Sequence, residues 1–281
     1  MKIITTIKDQ IEYSNSLIQN GKNITLIPTM GNLHKGHESL LLDNNIDNKK
    51  VVSIYVNPLQ FDSTQDYETY PNTYDKDIEI LKKHEIDCLF LPQVNEIEKN
   101  IIKKVNVSLL PYMDLLCSKY REDHFIGVFK IVKLLFEIVK PSVACFGEKD
   151  YQQIQLVKHI VRNYFSDKID IKCFKTVRED NGLALSSRNN HLSSLDKEIA
   201  SNVYKNLNVL ANNLKTYGFT IFHDLKKQFI AEMGEKNIRI EYIELLSNDL
   251  SDRLPKIDNK QYRLFVAFYI SNIRLIDNIE I

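Results

Sequence analysis

The chain has no net charge, since 37 Lys and Arg residues are balanced by 37 Asp and Glu. A molecule without a bulk field does not hold nucleic acid or an anionic membrane through its overall potential, so binding has to come from a local site. Cysteine is scarce. Cys88, Cys117, Cys145 and Cys173 are the four present, and none stands in a Cys-x-x-Cys pair, which excludes the usual local metal or redox motif. In 281 residues that is far below the density of a disulfide-held scaffold, so buried thiols in a reducing compartment are expected. No apolar run approaches the length of a membrane span, and Met1 to Gln10 has no apolar core of signal-peptide length. A cytoplasmic location is expected. Internal repeats, low-complexity segments and long linkers rich in Pro, Gly or Ser are also missing. What remains, 43% hydrophobic and 26% charged, is the balance of a globular protein long enough to bury a substantial core.

Short β-branched runs alternate with amphipathic segments through the first 170 or so residues, the pattern of strands and crossover helices in a parallel sheet. Strands are expected at Ile24–Ile27, Val51–Val56, Asp87–Leu91, Val143–Phe146 and Ile169–Phe174. Phe125, Val128, Phe129, Val132, Leu135, Phe136 and Val139 recur at helical spacing, and Pro141 follows to stop that helix. A second helix is expected over Tyr151–Tyr164. After Val177 the pattern changes to helices near Leu195–Leu214 and Ile221–Met233, then strands near Ile238–Leu245 and Tyr262–Tyr269. This reads as an α/β domain over 1–176 and a smaller α+β domain over 177–281, expected to meet across a cleft.

Chemistry gathers at the ends of the predicted strands. Residues 28–37 (PTMGNLHKGH) place His34 and His37 three apart just after the first strong strand. If a helix starts within this run, both rings share one face of its first turn, where free backbone N–H groups and the helix dipole attract phosphate. Imidazoles there can donate to a phosphate chain and to the charge that develops when it is cleaved. A solvated pair fits the same spacing, while two ligands without a third His or Cys nearby fall short of a zinc site.

Asn57 and Gln60 follow the next strand, at the carboxyl edge where open parallel sheets bind ligands. Their amides suit a carboxylate or hydroxyl substrate, although an Asn-Pro turn accounts for the same residues. Gly147, Glu148, Lys149 and Asp150 repeat the arrangement of strand, glycine turn and charged helix start. Lys149 suits a phosphate and Asp150 a metal or a ribose hydroxyl, with helix capping as the plainer alternative. The glycine spacing excludes a Walker loop. Leu185, Ser186, Ser187 and Arg188 offer two hydroxyls and a guanidinium to an anion, or simple turn chemistry. Arg121 and His124, at the start of the amphipathic helix, read as facing the same site or as surface charge. No Ser-His-Asp or Cys-His arrangement calls for a covalent nucleophile.

Taken in order, the stretches 28–37, 56–61 (VNPLQF), 66–71 (DYETYP), 115–128 (LLCSKYREDHFIGV), 141–153 (PSVACFGEKDYQQ), 177–189 (VREDNGLALSSRN) and 274–278 (RLIDN) resemble the pantothenate synthetases along nearly the whole chain. The resemblance implies a doubly wound, Rossmann-like nucleotidyl-transferase fold related to the class I aminoacyl-tRNA synthetases, with a small C-terminal domain over the site. It implies that Met30, Gly31, Asn32, Leu33, His34, Lys35, Gly36 and His37 line the ATP phosphates, His37 being the proton donor. Gly147, Glu148, Lys149, Asp150 and Val177 would contact ATP, and Leu185, Ser186, Ser187 and Arg188 would close over it. Lys149 and Arg188 would neutralise polyphosphate charge, and Gln60 and Gln153, with Asn57 and Arg121, would hold pantoate.

The implied reaction is ATP-dependent ligation of pantoate and beta-alanine to pantothenate through a pantoyl adenylate, releasing pyrophosphate and AMP, with Mg²⁺ and a homodimer. The chain departs from the family pattern at Glu122 and Asp123, which replace a Pro-Gly turn. It departs again at Lys35, in a usually acidic position, and near Glu96 to Lys99, where a Tyr-Pro is missing. Two other readings stay open at this point. A plain nucleotidylyltransferase would use the same His pair and Ser-Arg loop. An RNA-binding relative of the synthetases would keep the fold, although the even charge speaks against it.

Overall fold

A three-residue edge strand opens the chain, too short to show a period in the sequence. The computed structural model describes residues 1–42, 47–61, 64–101, 112–251 and 261–281. Its first elements are β1 (Lys2–Ile4), α1 (Ile7–Gln19), β2 (Ile24–Thr29), α2 (Lys35–Leu41), β3 (Lys49–Ile54), α3 (Thr64–Glu68) and α4 (Tyr74–Lys83). These are followed by β4 (Cys88–Phe90), α5 (Val94–Asn100), α6 (Leu116–Tyr120), α7 (Glu122–Val139), β5 (Val143–Gly147), α8 (Tyr151–Tyr164) and β6 (Asp170–Phe174). The strands form one sheet in the order β1-β4-β3-β2-β5-β6, and every pair is parallel. Because parallel strands need crossover connections, helices cover the sheet, and its inner strands read as continuous apolar runs. Leu26, Ile27, Val51, Val52, Ala144 and Cys145 are fully buried. The five strands expected here correspond to β2 through β6.

Along α7, all seven residues picked out by their spacing are buried, each contributing about 1.5–3 kcal/mol when taken fully out of water. The helix ends at Lys140, whose φ of 52° is a left-handed cap, immediately before Pro141. Cys88, Cys117 and Cys145 are buried thiols outside any disulfide, as expected; Cys173 is exposed, because it lies on the edge strand β6, whose neighbour covers one side only.

The winding reverses between β2 and β5: the chain builds outward from β2 through β3 and β4, then returns to add β5 and β6 on the other side. Ligand crevices in open α/β sheets form at such a reversal, outside the carboxyl ends of the strands. Here Pro28 helps to open it. Backbone groups of successive strand residues face opposite neighbours; the Ile24 carbonyl accepts from Ser142 on the β5 side, and the Thr29 carbonyl accepts from Tyr55 on the β3 side. By that alternation Pro28 faces β5, and it has no N–H to donate. The β2–β5 register accordingly covers Thr25↔Val143 and Leu26↔Ala144, whereas β2 stays paired with β3 up to Thr29↔Ile54.

The remaining elements are α9 (Ser194–Tyr217), α10 (Phe222–Glu235), β7 (Arg239–Ser247), β8 (Tyr262–Ile270) and β9 (Ile273–Glu280), the strands forming an antiparallel sheet. Ser193 caps α9 by accepting from the Asp196 N–H, and Gly218 ends it at φ 83°. The β8–β9 hairpin turns on Ser271 and Asn272, both at positive φ, as a two-residue turn matched to strand twist requires. Leu207, Met233, Ile243, Leu264 and Val266 lie at the centre of the core these elements enclose. The chain divides into two compact units, Met1–Glu148 with Gln153–Lys175, and Lys149–Gln152 with Thr176–Ile281. The second unit therefore includes five residues, Lys149–Gln152 and Thr176, that a division at 176/177 assigns to the first.

Candidate active site

At the carboxyl end of β2 the chain turns sharply. The Thr29 hydroxyl donates to the Ser53 carbonyl and accepts from the Gly31 N–H. Gly31 has φ 79°, and a Cβ there would lie 3.1 Å from both Asp77 Oδ2 and Ile54 Cγ2, so a side chain is strained by conformation and by contact. The next two N–H groups, of Asn32 and Leu33, donate to the Asp77 carboxylate at 2.9 and 2.8 Å.

The histidine pair begins at the end of this turn. His34 is the N-cap of α2: its Nδ1 accepts from the Gly36 N–H at 3.1 Å, and Nδ1 of His37 accepts from the His34 N–H at 3.3 Å, a reciprocal capping box. An imidazole whose Nδ1 accepts carries its proton on Nε2, so both rings present Nε2–H as a donor. The ring centroids are 4.0 Å apart. Three of the first-turn N–H groups expected to be open to a phosphate are engaged within the turn: Gly36 donates to His34 Nδ1, and His37 and Glu38 donate to the His34 carbonyl. In the same turn, Asn32 Nδ2 is buried and has no hydrogen-bond partner. Met30 is half-buried and Lys35 exposed.

A second group forms after β3. Asn57 is 1% exposed; its Oδ1 accepts from the Leu59 N–H, and its Nδ2 donates to the Gly127 carbonyl at 3.1 Å and to Gln60 Oε1 at 2.9 Å. The backbone partners fix which end of Asn57 is the donor, and that in turn fixes Gln60 with its oxygen toward Asn57 and its NH₂ directed away. Both ends of the Asn57 amide are thus committed within the protein, and its Nδ2 orients the Gln60 side chain. Arg121 and His124 gather at the same place, donating to the Gln60 carbonyl at 3.3 and 2.6 Å. Gly127, unnoticed in the sequence, permits this: a Cβ there would meet the Leu59 carbonyl oxygen at 2.5 Å. Nearby, burial, with smaller contributions from Tyr67 and Glu98, pushes the Tyr55 phenol up to about 12 and keeps it protonated.

Beside β2, β5 ends in Gly147, where a Cβ would meet nothing within 4 Å, so the backbone is open to close approach. Glu148 and Gln153 are half-buried. In the second unit, Lys149 is half-buried, Asp150 is exposed, and the Lys149 carbonyl accepts from Asn278 Nδ2 at 3.0 Å. Val177 and Leu185 close a small hairpin through a bond from the Leu185 N–H to the Val177 carbonyl. Arg178 anchors it by a bidentate pair with Asp277, at 2.6 and 2.9 Å, and lies 3.5 Å over the Tyr204 ring. Ser186 Oγ accepts from the Arg188 N–H, so this hydroxyl shapes the 187–191 turn, while Ser187 and Arg188 stay half-buried.

Comparison with known proteins agrees in length and in fold. The family model described as pantoate-beta-alanine ligase matches residues 2–280. Pantothenate synthetase from Thermotoga petrophila is 37% identical, with 99% of each chain covered. Pantothenate synthetase from Thermus thermophilus superposes with a TM-score of 0.86 at 31% identity, covering 100% of this chain and 99% of the other. Pantoate-beta-alanine ligase from Francisella tularensis, solved in complex with beta-gamma ATP and beta-alanine, gives a TM-score of 0.77 at 35% identity, covering 100% and 97%.

Proposed function

The chain belongs to the pantoate-beta-alanine ligase family and is a ligase, and from that premise we propose that it joins (R)-pantoate to beta-alanine through an enzyme-bound pantoyl adenylate. A carboxylate is a poor acylating agent because an oxide would have to leave. Attack of a pantoate carboxylate oxygen on the α-phosphorus of ATP forms a new P–O bond, breaks the bond to the β-phosphate bridge, and releases pyrophosphate. The amine of beta-alanine then attacks the acyl carbon, the C–O bond to the phosphate breaks, and AMP leaves with the electron pair while the nitrogen gives up a proton.

The observation that carries this reading is the fixed polarity of the donors. Nε2–H groups on His34 and His37 suit the negative charge that grows on departing pyrophosphate. The Gln60 NH₂, held in place by Asn57, suits a carboxylate that has to be bound without being protonated. Gln153 is the second pantoate residue of the proposal, and Arg121 steadies the Gln60 backbone. Met30 to His37, Gly147 to Asp150, Val177 and Leu185 to Arg188 are proposed to bind ATP, with Lys149 and Arg188 opposing polyphosphate charge. Catalysis then rests on positioning and on charge stabilisation.

Among the described residues, no group of three or more His, Cys, Asp or Glu could hold a metal ion. Mg²⁺ needs no such cage when it arrives on ATP, since phosphate oxygens, water and one carboxylate complete its shell. Asp150 is the carboxylate proposed for it, and the ion would supply further neutralisation of the phosphates. A homodimer and a cytoplasmic location belong to the same proposal; no described helix is long and apolar enough to cross a membrane.

Positional isotope exchange tests the order of steps. With pantoate present and beta-alanine absent, oxygen label should scramble between the bridging and nonbridging positions of ATP. Net turnover without scrambling, in an assay where pyrophosphate can rotate and return, would sink the adenylate.

A further inference from the structure

We infer that Asp77 is a positioning residue for the adenylation step, holding the histidine pair through the backbone of the turn before it. The inference rests on the reading of His34 and His37 given above. Asp77 lies in the first turn of α4 and is 1% exposed. Its Oδ2 accepts from the Asn32 N–H at 2.9 Å and from the Thr73 hydroxyl at 3.1 Å, and its Oδ1 accepts from the Leu33 N–H at 2.8 Å. Two consecutive N–H groups converge on one carboxylate because Gly31 and Asn32 both have positive φ, 79° and 51°, which turns the peptide donors to the same side.

Asn adopts such left-handed backbone more readily than other residues with a side chain, and here the contacts to Asp77 hold it there. The residue that follows Leu33 is His34, whose carbonyl and ring together start α2 and whose N–H holds the His37 ring. The carboxylate therefore acts one residue upstream of the capping box that sets both imidazole tautomers. At its other end, α4 meets α2 again, where His84 Nε2 lies 2.9 Å from Glu38 Oε2. A helix that grips the turn at Asp77 and the start of α2 at His84 determines where the two Nε2–H groups point.

Asp77→Asn is the informative substitution, because it keeps size but leaves one acceptor oxygen for two backbone N–H groups. Three quantities are measured: pyrophosphate released from ATP and pantoate alone, pantothenate formed from supplied pantoyl adenylate and beta-alanine, and the ¹⁵N signals of the imidazole rings. A displacement of about 1 Å at a reacting group costs about 10²-fold in rate. The variant should lose about that much in pyrophosphate release, keep the amide step near the wild-type rate, and shift the His34 and His37 ring signals away from a pure Nε2–H tautomer.

Unchanged pyrophosphate release in a folded Asp77→Asn protein overturns the inference. So does an equal loss in both half-reactions with unaltered ring signals, which is what a purely structural acid would give. Should that variant fail to fold, Thr73→Val removes only the hydroxyl donor to the same carboxylate. A partial loss confined to the first half-reaction then supports the inference, and no change in either that rate or the ring signals refutes it. Absence of pyrophosphate release in the wild type would instead count against the adenylate reading, and the ring signals would still decide the role of Asp77.

Discussion

Replacing Gly127 with Ala puts two opposed effects at one position. In an unhindered helix interior Ala is more favourable than Gly by about 1 kcal/mol, and Gly127 lies within α7. A Cβ at this site would fall 2.5 Å from the Leu59 carbonyl oxygen and 2.7 Å from its carbon, closer than real Cβ atoms come to backbone. Neither neighbour is a flexible side-chain end, so the turn of residues 58–60 has to move by several tenths of an ångström. Overpacking of this kind costs about 1–3 kcal/mol, leaving a net loss of about 0–2 kcal/mol where propensity alone gives a gain. The same shift displaces Gln60, and a displacement approaching 1 Å costs up to about 10²-fold, so kcat/KM for pantoate should fall while ATP affinity holds. Urea denaturation and pantoate titration at saturating ATP read both effects. Gly234, in α10 with nothing within 4 Å of a Cβ, is the control and should gain about 0.5–1 kcal/mol as Ala. If Gly127→Ala is stabilised as much as the control and pantoate kinetics are unaltered, the packing argument for Gln60 fails.

Asn57→Asp replaces a donor with an acceptor facing Gln60 Oε1 and the Gly127 carbonyl; turning Gln60 over or leaving it unpaired costs about 1–3 kcal/mol, so the pantoate KM should rise roughly tenfold or more with the ATP KM unchanged. Gln60→Ala and Gln153→Ala should likewise weaken pantoate use more than ATP use in steady-state titrations, and equal losses would remove them from the pantoate site. Asp277→Asn breaks a bidentate pair whose side chains are 5% and 16% exposed; losing one partner of such a pair costs about 3–5 kcal/mol, and a denaturation midpoint near that of the wild type would show the Arg178 anchor to be dispensable.

The periodic parts of the fold were readable because burial on one face or on both leaves a local signature. The spacing in α7 and the apolar runs of β2, β3 and β5 are of this kind, and each expected boundary lies within a few residues of the observed one. β9 was missed because Arg274, Asp277, Asn278 and Glu280 interrupt its alternation, yet each has a partner elsewhere: Glu241, Arg178, Lys149 and Arg263 respectively. The candidate site divides in the same way. His34, His37, Gln60 and Arg121 stand in motifs after predicted strands or at a predicted helix start, so the sequence marks them as candidates. Asp77 could not, since in Tyr74–Lys83 it looks like one more solvated acid and the two backbone N–H groups it accepts from lie 44 and 45 residues away. Gly127 did leave a signal, a lone glycine inside a helical pattern, which points to close packing.

The most direct measurement of the central claim is rapid-quench detection of pyrophosphate after mixing enzyme, ATP, Mg²⁺ and pantoate, with beta-alanine withheld. The account predicts a burst stoichiometric with active sites, slowed by about 10²–10³-fold in His37→Ala and comparably in His34→Ala, because each removes a preorganised donor to the leaving group. Pyrophosphate that appears only after beta-alanine is added would contradict it, as would a burst of normal rate in both histidine variants.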